Sequence, residues 1–202
     1  MSFFDNTRKP KGLGGNIMLN AMNFGHRALA DWGLGFLRLP KDARVLDCGC
    51  GGGANIKKLL KLCPDGVVKG IDYSPTSVEK SSEVNQKAIS EGRCVILKES
   101  VDDMMFASSW FDFATAFETV YFWPDPLRGF IEINRVLKPG GTLLVCNECG
   151  GDDRKDEKWT EKISGMTIYK DAELVSFLKQ AKFQNIQIHK NPKGWLCITA
   201  EK

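Results

Sequence analysis

Residues 45–55, VLDCGCGGGAN, narrow the choice of folds more than any other part of this sequence. A short apolar segment ends in an acid, a glycine-rich stretch follows, and the amphipathic segment ANIKKLLKLC begins at residue 54. Because glycine has no β-carbon, such a stretch can turn tightly and approach a ligand closely. The pattern predicts a buried strand, a tight loop and a helix in succession, which is the first unit of a parallel α/β sheet.

The alternation of strand and helix continues along the chain, which predicts a mostly parallel sheet with helices on both faces. The turn sequence NPKG separates the last two predicted strands, so these two should pair antiparallel. We therefore predict an α/β fold with a doubly wound, mostly parallel seven-stranded sheet, an antiparallel C-terminal hairpin and an N-terminal helical cap. Predicted strands cover 43–48, 67–72, 94–99, 111–117, 142–148, 185–190 and 194–201, and predicted helices 54–63, 74–92, 126–137 and 171–181.

The N-terminal region has a different pattern. Residues 1–15 are polar and rich in Gly, Lys and Pro, and are predicted to be irregular. Apolar residues in 16–38 recur at spacings of three and four, which predicts one or two amphipathic helices ended by Pro40. We therefore divide the chain into an arm and cap helix, 1–40, and a main domain, 41–202.

Composition favours a globular protein that does not bind nucleic acid. The 202 residues carry a net charge of +3, and Lys and Glu are interspersed rather than clustered as in nucleic-acid binders. The mixed-sign run GGDDRKDEK, 150–158, predicts a solvated loop. No apolar run approaches the roughly 20 residues of a membrane span. Seven cysteines, an odd number, without a secretory signal predict a cytoplasmic protein with reduced thiols.

The glycine loop alone leaves several ligands open. Gly49, Gly51 and Gly53 fit the pattern GxGxG, and with Ala54 they also fit GxGxxA. N–H groups at the start of the next helix would face the same place. A metal site, a phosphate cradle, a dinucleotide site and a turn without a ligand are all compatible with this spacing.

Two acids make the prediction more specific. Asp72 ends the second predicted strand, 19 residues after Gly53, where a carboxylate can accept hydrogen bonds from both ribose hydroxyls. Asp47 immediately precedes the loop, where its charge would repel a pyrophosphate. The same charge suits a ligand with an amino group and a sulfonium, which favours S-adenosylmethionine over NAD.

Four segments resemble the motifs of the class I S-adenosylmethionine-dependent methyltransferases, in the branch that includes ubiquinone/menaquinone methylase-like enzymes. VLDCGCGGG resembles the first motif, and GIDYS (70–74) the motif with the ribose-binding acid. WFDFATAFETV (110–120) resembles the fourth-strand motif, and RVLKPGG (135–141) the signature that leads into strand five. The resemblance covers about residues 43–148 and implies a Rossmann-like methyltransferase fold with S-adenosyl-L-methionine as cofactor.

The resemblance also implies which residues hold the cofactor. The loop after the first strand would hold the methionine part, the acid after the second strand the ribose, and Tyr73 would pack beside the adenosine. Family members usually have an adenine-binding acid after strand three, where this chain has Ser100, so Asp102 is the alternative. The predicted cofactor residues are Asp47, Gly49, Cys50, Gly51, Asp72, Tyr73, Ser100, Val101, Asp102, Phe117 and Glu118.

No catalytic residue is common to the whole family, because in-line methyl transfer needs a base only when the nucleophile carries a proton. His26, Glu118 and Tyr121 are the candidates. The aromatic residues of FETVYFW (117–123) either line an acceptor pocket and shield the sulfonium, or pack against the next helix.

The cysteine pairs suggest a competing interpretation. Cys48-x-Cys50 and Cys146-x-x-Cys149 are short pairs of the kind found in zinc sites, or in an enzyme that methylates arsenic. Both pairs begin within or at the end of predicted strands rather than in knuckle turns, so we interpret them as small buried apolar residues and predict no metal site.

We therefore predict methyl transfer from S-adenosyl-L-methionine to a small-molecule acceptor. The chain has no large substrate domain, no basic groove, and no NPPY-type loop of the kind associated with methylation of nucleic-acid bases. An NAD-dependent oxidoreductase and a non-catalytic S-adenosylmethionine-binding module are the alternatives.

Overall fold

A single seven-stranded sheet organises the computed structural model, which describes residues 26–151 and 154–202. The strands are β1 (Arg44–Cys48), β2 (Val67–Asp72), β3 (Cys94–Lys98), β4 (Phe111–Phe117), β5 (Leu137–Asn147), β6 (Gln184–Lys190) and β7 (Leu196–Glu201). Their order across the sheet is β3-β2-β1-β4-β5-β7-β6. The first five strands pair in parallel, and β7 pairs antiparallel with both β5 and β6. The predicted doubly wound sheet with a C-terminal hairpin is confirmed.

Helices cover both faces of the sheet. They are α1 (Arg27–Leu34), α2 (Ala54–Leu62), α3 (Pro75–Val84), α4 (Gln86–Ser90), α5 (Pro126–Val136), α6 (Arg154–Lys162) and α7 (Asp171–Gln180), with a 3₁₀ turn at Val120–Phe122.

Side chains that alternate along the strands feed two separate hydrophobic cores. On β5, Leu143 and Val145 join the core beneath α5 and α7. Leu144 and Cys146, also on β5, join the core beneath α1 and α2. Because α1 packs against the second core, the structure fixes this helix over the sheet and beside the ends of β4 and β5.

The predicted helix 74–92 is divided in two. Ser74 caps α3 as expected, and its hydroxyl accepts from the Ser77 N–H. Asn85 then interrupts the helix, and its side-chain amide donates to the carbonyls of Ser81 at 2.9 Å and Gly53 at 3.0 Å. This amide therefore connects the interruption to the glycine loop, which explains why a polar residue is buried there.

Three further predictions differ from the structure. The cap helix α1 ends at Leu34 before Gly35, and not near Pro40, while residues 16–25 of the predicted helix lie outside the described part of the chain. The run 150–158, predicted to be a loop, contains the start of α6 at Arg154. Residues 138–141, which separate the predicted helix 126–137 from the predicted strand 142–148, lie inside β5, where pairing with β4 is irregular.

None of the helices in the described ranges is both long enough and apolar enough to span a membrane.

Candidate active site

A cleft of about 270 Å³ opens at the carboxyl ends of β1, β2 and β4, beside α1. The strand order reverses between β1 and β4, which is the position where doubly wound sheets bind their ligands. Asp47, Asp102 and Tyr121 are not among the residues that line it. The predicted site residues that do line it are His26, Gly49, Cys50, Gly51, Asp72, Tyr73, Ser100, Val101, Phe117 and Glu118.

The glycine loop is held against the end of β2 by its own main chain. The N–H groups of Gly49 and Cys50 both donate to the Ile71 carbonyl at 2.9 Å. Gly49 has a φ of +73°, and an added β-carbon would lie 2.1 Å from the Thr119 Oγ1 atom. The Cys50 N–H is thus occupied within the protein, and Gly49 is required by the close approach of Thr119.

Gly51 faces the open cleft. Its φ is +51°, and an added β-carbon would find no atom within 4 Å. A ligand in the cleft can therefore approach this stretch of backbone closely, as a nucleoside cofactor requires. The loop geometry fits the cofactor that the sequence predicts.

Asp72 joins the loop to the start of α3. One carboxylate oxygen accepts from the Gly51 N–H at 3.0 Å and the other from the Ser74 N–H at 2.9 Å. Burial raises the pKa of Asp72, and these hydrogen bonds oppose the rise. Each oxygen keeps a further lone pair, so the carboxylate can still accept hydrogen bonds from the hydroxyls of a ligand in the cleft.

Asp47 lies behind the loop and points toward β4. Its Oδ1 atom accepts from the Thr115 hydroxyl at 2.7 Å, while Oδ2 has no hydrogen-bond partner among the residues described. Burial raises the pKa of Asp47 to about 7, the Thr115 hydrogen bond lowers it, and the charge of Asp72 raises it further. The structure thus places this side chain between β1 and β4, and its predicted contact with the cofactor stays a prediction.

The cleft wall at the end of β3 contains an acid that the sequence prediction missed. Ser100 and Val101 line the cleft, whereas Asp102 accepts a hydrogen bond from the Ser100 hydroxyl and lies behind them. Glu99 lines the cleft as well. The sequence could have indicated Glu99, because it is the last residue of the third predicted strand and the carboxyl ends of parallel strands form the ligand site.

His26 and Glu118 line the cleft beside the end of β4, and Glu148 lies next to them without lining it. The Nε2 atom of His26, at the start of α1, lies 3.8 Å from a Glu118 oxygen and 3.9 Å from a Glu148 oxygen. Burial lowers the pKa of His26, while the charge of Glu148 raises it. Glu148 follows β5 and was not predicted as a site residue, although it ends the predicted strand 142–148. Its position next to the residue after β4 depends on the sheet order.

Glu118 is held in one orientation. Its φ of +57° is uncommon for a residue with a side chain, and its N–H donates to the Cys146 carbonyl at 3.0 Å. Its Oε1 atom accepts from the Glu148 N–H and from the Tyr121 hydroxyl. Burial raises the pKa of Glu118 to about 8, and the charge of Glu148 also raises it.

Tyr121 supports this carboxylate from within the core. Its hydroxyl accepts from the Cys149 N–H at 2.9 Å and lies 3.1 Å from the Cys149 carbonyl. Burial, together with the charge of Glu118, raises the pKa of Tyr121 well above its ordinary value. Tyr121 is therefore placed to position Glu118 and is poorly suited to act as a base.

The His26, Glu118 and Glu148 cluster is also the one group of three potential metal ligands found among the described residues, with ligand atoms within 4.8 Å of one another. All seven cysteines are buried and free, and none belongs to this cluster. The cysteines thus lie as expected for small core residues, and the absence of a metal site stays a prediction.

The sheet order, the glycine loop after β1 and the acid after β2 define a Rossmann-like fold with a cleft at the switch point that fits a nucleoside cofactor. The comparisons with known proteins specify the family. Residues 46–145 match the model of a methyltransferase domain.

Curated relatives agree with this match. The chain is 35% identical over 143 residues to 2-methyl-6-phytyl-1,4-hydroquinone methyltransferase of Synechocystis, which is 69% of this chain and 42% of that protein. It is 25% identical to the uncharacterized methyltransferase YdaC of Bacillus subtilis over 88% of this chain and 93% of the relative. A solved S-adenosylmethionine-dependent methyltransferase of Aquifex aeolicus has the same fold, with a TM-score of 0.77, 20% identity, and 92% and 97% of the two chains covered.

The chain therefore belongs to the class I S-adenosylmethionine-dependent methyltransferases. It spans less than half the length of several curated relatives that it matches. None of the matches reported above supports the alternative of an NAD-dependent oxidoreductase.

Proposed function

We propose that this protein transfers the methyl group of S-adenosyl-L-methionine to a small-molecule acceptor bound in the cleft beside α1. The observation that carries the proposal is that two sets of functional residues line the same cleft. Gly51 and Asp72 line it at the ends of β1 and β2, as a nucleoside site requires, and His26 and Glu118 line it beside the end of β4. The hydroquinone methyltransferase of Synechocystis, which the chain resembles, is named for a small-molecule acceptor.

The cofactor would extend along the ends of β1, β2 and β3. Asp72 would accept hydrogen bonds from the ribose hydroxyls, and the exposed ring of Tyr73 would pack beside the adenosine. Ser100 and Val101 would border the adenine. Gly49, Cys50 and Gly51 would border the methionine part, with Asp47 behind them as a support for the loop.

The cofactor supplies a methyl group on a positively charged sulfur, which is a good leaving group. The protein's own contribution is to hold the acceptor in line and to exclude water. Phe117, Leu29 and Ala30 line the inner wall, and the latter two come from α1. The helix α1 would thus form part of the acceptor site, which supports the proposal that it acts as a cap over the main domain.

The size and charge of the cleft favour a small acceptor over a macromolecule. None of the described residues that line the cleft is Lys or Arg, so none of these residues would neutralise a nucleic-acid backbone. We further propose that the protein acts in the cytoplasm.

A labelled-cofactor experiment tests this proposal. The protein is incubated with methyl-labelled S-adenosyl-L-methionine and an extract of the cells that produce it, and the extract is then separated by size. We expect the label in the low-molecular-weight fraction. Label in protein or nucleic acid would contradict a small-molecule acceptor, and cofactor binding without any labelled product would support the non-catalytic alternative.

A further inference from the structure

The wall of the cleft carries several acidic side chains. Asp72, Glu99 and Glu118 line it, and no described residue that lines it is Lys or Arg. Asp72 and Glu99 lie at the ends of β2 and β3, on the side assigned to the nucleoside. Glu118 lies at the end of β4, on the side assigned to the acceptor.

Two carboxyl groups lie close to one weakly basic side chain: Glu118 lines the cleft, and Glu148 lies beside it. Among the described side chains, His26 is the only basic group within 4.0 Å of Glu118 or Glu148. Burial lowers the pKa of His26, which disfavours its protonated form. Buried carboxylates are ordinarily paired with a cation, because an isolated buried charge is costly. Glu118 is therefore a largely buried carboxyl group whose only basic neighbour among the described side chains is His26, and the partly exposed Glu148 lies beside it.

Aromatic rings line the cleft as well. Phe117, Phe122 and Trp123 all line it, and Phe117 immediately precedes Glu118. The Trp123 ring is oriented by a hydrogen bond from its Nε1 atom to the Thr119 hydroxyl at 3.2 Å. Aromatic faces together with carboxylates are the usual means of binding an organic ammonium group.

We propose that the acceptor is an amine, which binds as an ammonium ion between the Glu118 and Glu148 carboxylates. This inference rests on the proposed function and specifies its substrate class. An oxygen or anionic acceptor would leave the cluster without a counter-charge, and an anionic group would be repelled by it.

The proposed reaction needs no reactant beyond the amine, the cofactor and the side chains at the site. The ammonium nitrogen gives one proton to the Glu118 carboxylate, from which His26, partly exposed at the cleft edge, can pass it to solvent. The freed lone pair forms the new C–N bond as the C–S bond breaks. The electron pair of the broken bond stays on sulfur, which yields S-adenosyl-L-homocysteine and the methylated ammonium product.

The charge of the natural acceptor provides the first test. The cell extract is separated at pH 7 on cation- and anion-exchange resins, and each fraction is incubated with the protein and labelled cofactor. We expect labelled product from the fraction retained by the cation exchanger. Product from the neutral or anionic fraction would overturn the amine assignment but leave methyl transfer intact. If no fraction yields product although S-adenosyl-L-homocysteine binds, the proposed function itself fails.

Variants provide the second test, with the acceptor fraction from the first. Glu148→Gln should raise the KM for the acceptor by about tenfold or more, with an unchanged affinity for S-adenosyl-L-homocysteine. Glu83→Gln, which removes an exposed carboxylate paired with Lys80, is the matched control and should leave both unchanged. A loss of S-adenosyl-L-homocysteine affinity in Glu148→Gln, with an unchanged acceptor KM, would assign the cluster to the cofactor and overturn the proposal.

A divalent ion is the competing occupant of the cluster. Activity that stops in EDTA and returns with added Mg²⁺ or Mn²⁺ would assign the carboxylates to a metal and overturn the amine assignment. Full activity in EDTA supports it.

Discussion

The main-chain N–H of Gly51 donates to the Asp72 carboxylate at 3.0 Å, which joins the glycine loop after β1 to the end of β2. The same carboxylate accepts from the Ser74 N–H at the start of α3. Asp72 therefore holds the shape of the site in addition to its proposed contact with the ribose. The loop and the acid are one structural unit, although 21 positions separate them in sequence.

Replacement of Asp72 should show both roles. Asp72→Asn keeps the size of the side chain but removes its charge and one acceptor, so we expect S-adenosyl-L-homocysteine to bind about 10- to 100-fold more weakly. Titration calorimetry measures this affinity, and circular dichroism checks the fold. Asp65→Asn, at an exposed loop position before β2, is the control and should bind normally. Normal binding by Asp72→Asn would show that the ribose lies elsewhere.

Substitutions at three glycines with positive φ should distinguish effects on stability from effects on cofactor binding. Gly92→Ala, at φ +74° in open space, should lose about 1–2 kcal/mol of stability from backbone strain alone. Gly51→Ala should lose a similar amount and also weaken S-adenosyl-L-homocysteine binding, because its β-carbon enters the cleft. Gly49→Ala should lose more stability, because its β-carbon would overlap Thr119. Urea unfolding and calorimetry give both quantities, and unchanged affinity in Gly51→Ala would argue against a cofactor beside this loop.

The packing of α1 against the sheet predicts that substitutions at Gly33 and Cys146 have coupled effects on stability. A β-carbon at Gly33 would lie 2.7 Å from the Cys146 Sγ atom on β5. We expect Gly33→Ala to lower the free energy of unfolding by about 1–3 kcal/mol through overpacking. Cys146→Ala in the same protein should recover part of this loss, since it removes the overlapping atom. A double-mutant cycle by urea unfolding measures the coupling, and strictly additive effects would show that α1 does not pack as described.

Asp47 predicts how stability depends on pH. Its pKa is about 7 in the folded protein, above the ordinary value of 3.8, because burial disfavours the charged form. A raised acid pKa gives stability that is fully present below about pH 4 and is lost as pH rises through about 7. Asp47→Asn lacks this titration, so its stability relative to the original protein should rise by up to a few kcal/mol between pH 4 and 8.

Thermal unfolding of both proteins across this range measures the difference. Glu118, whose pKa is also raised, titrates in both proteins and so does not contribute to it. A difference that does not change with pH would mean that Asp47 titrates near its ordinary value.

The sequence predicted the parts of this structure that depend on local pattern. The alternation of apolar segments, glycines and helix signals was sufficient to predict the doubly wound sheet and its C-terminal hairpin. The spacing of Asp72 after the loop was sufficient to place an acid at the cleft. These features depend on residues close in the chain or on the known geometry of parallel sheets.

The parts that the sequence did not predict depend on contacts between distant residues. Glu148 joins Glu118 because β5 lies beside β4, and Thr119 faces Gly49 because β4 lies beside β1. Asn85 interrupts a segment with a helical pattern, and its side-chain amide donates to the Gly53 carbonyl, 32 positions away in sequence. Asp47 on β1 accepts a hydrogen bond from the Thr115 hydroxyl on β4, 68 positions away, because the two strands are paired.

Cofactor choice is the central claim, and isothermal titration calorimetry of the unmodified protein tests it most directly. S-adenosyl-L-homocysteine and NAD are titrated separately under the same conditions. We predict saturable binding of S-adenosyl-L-homocysteine at one site per chain, abolished by Asp72→Ala, and no binding of NAD. Binding of NAD without binding of S-adenosyl-L-homocysteine would contradict the account.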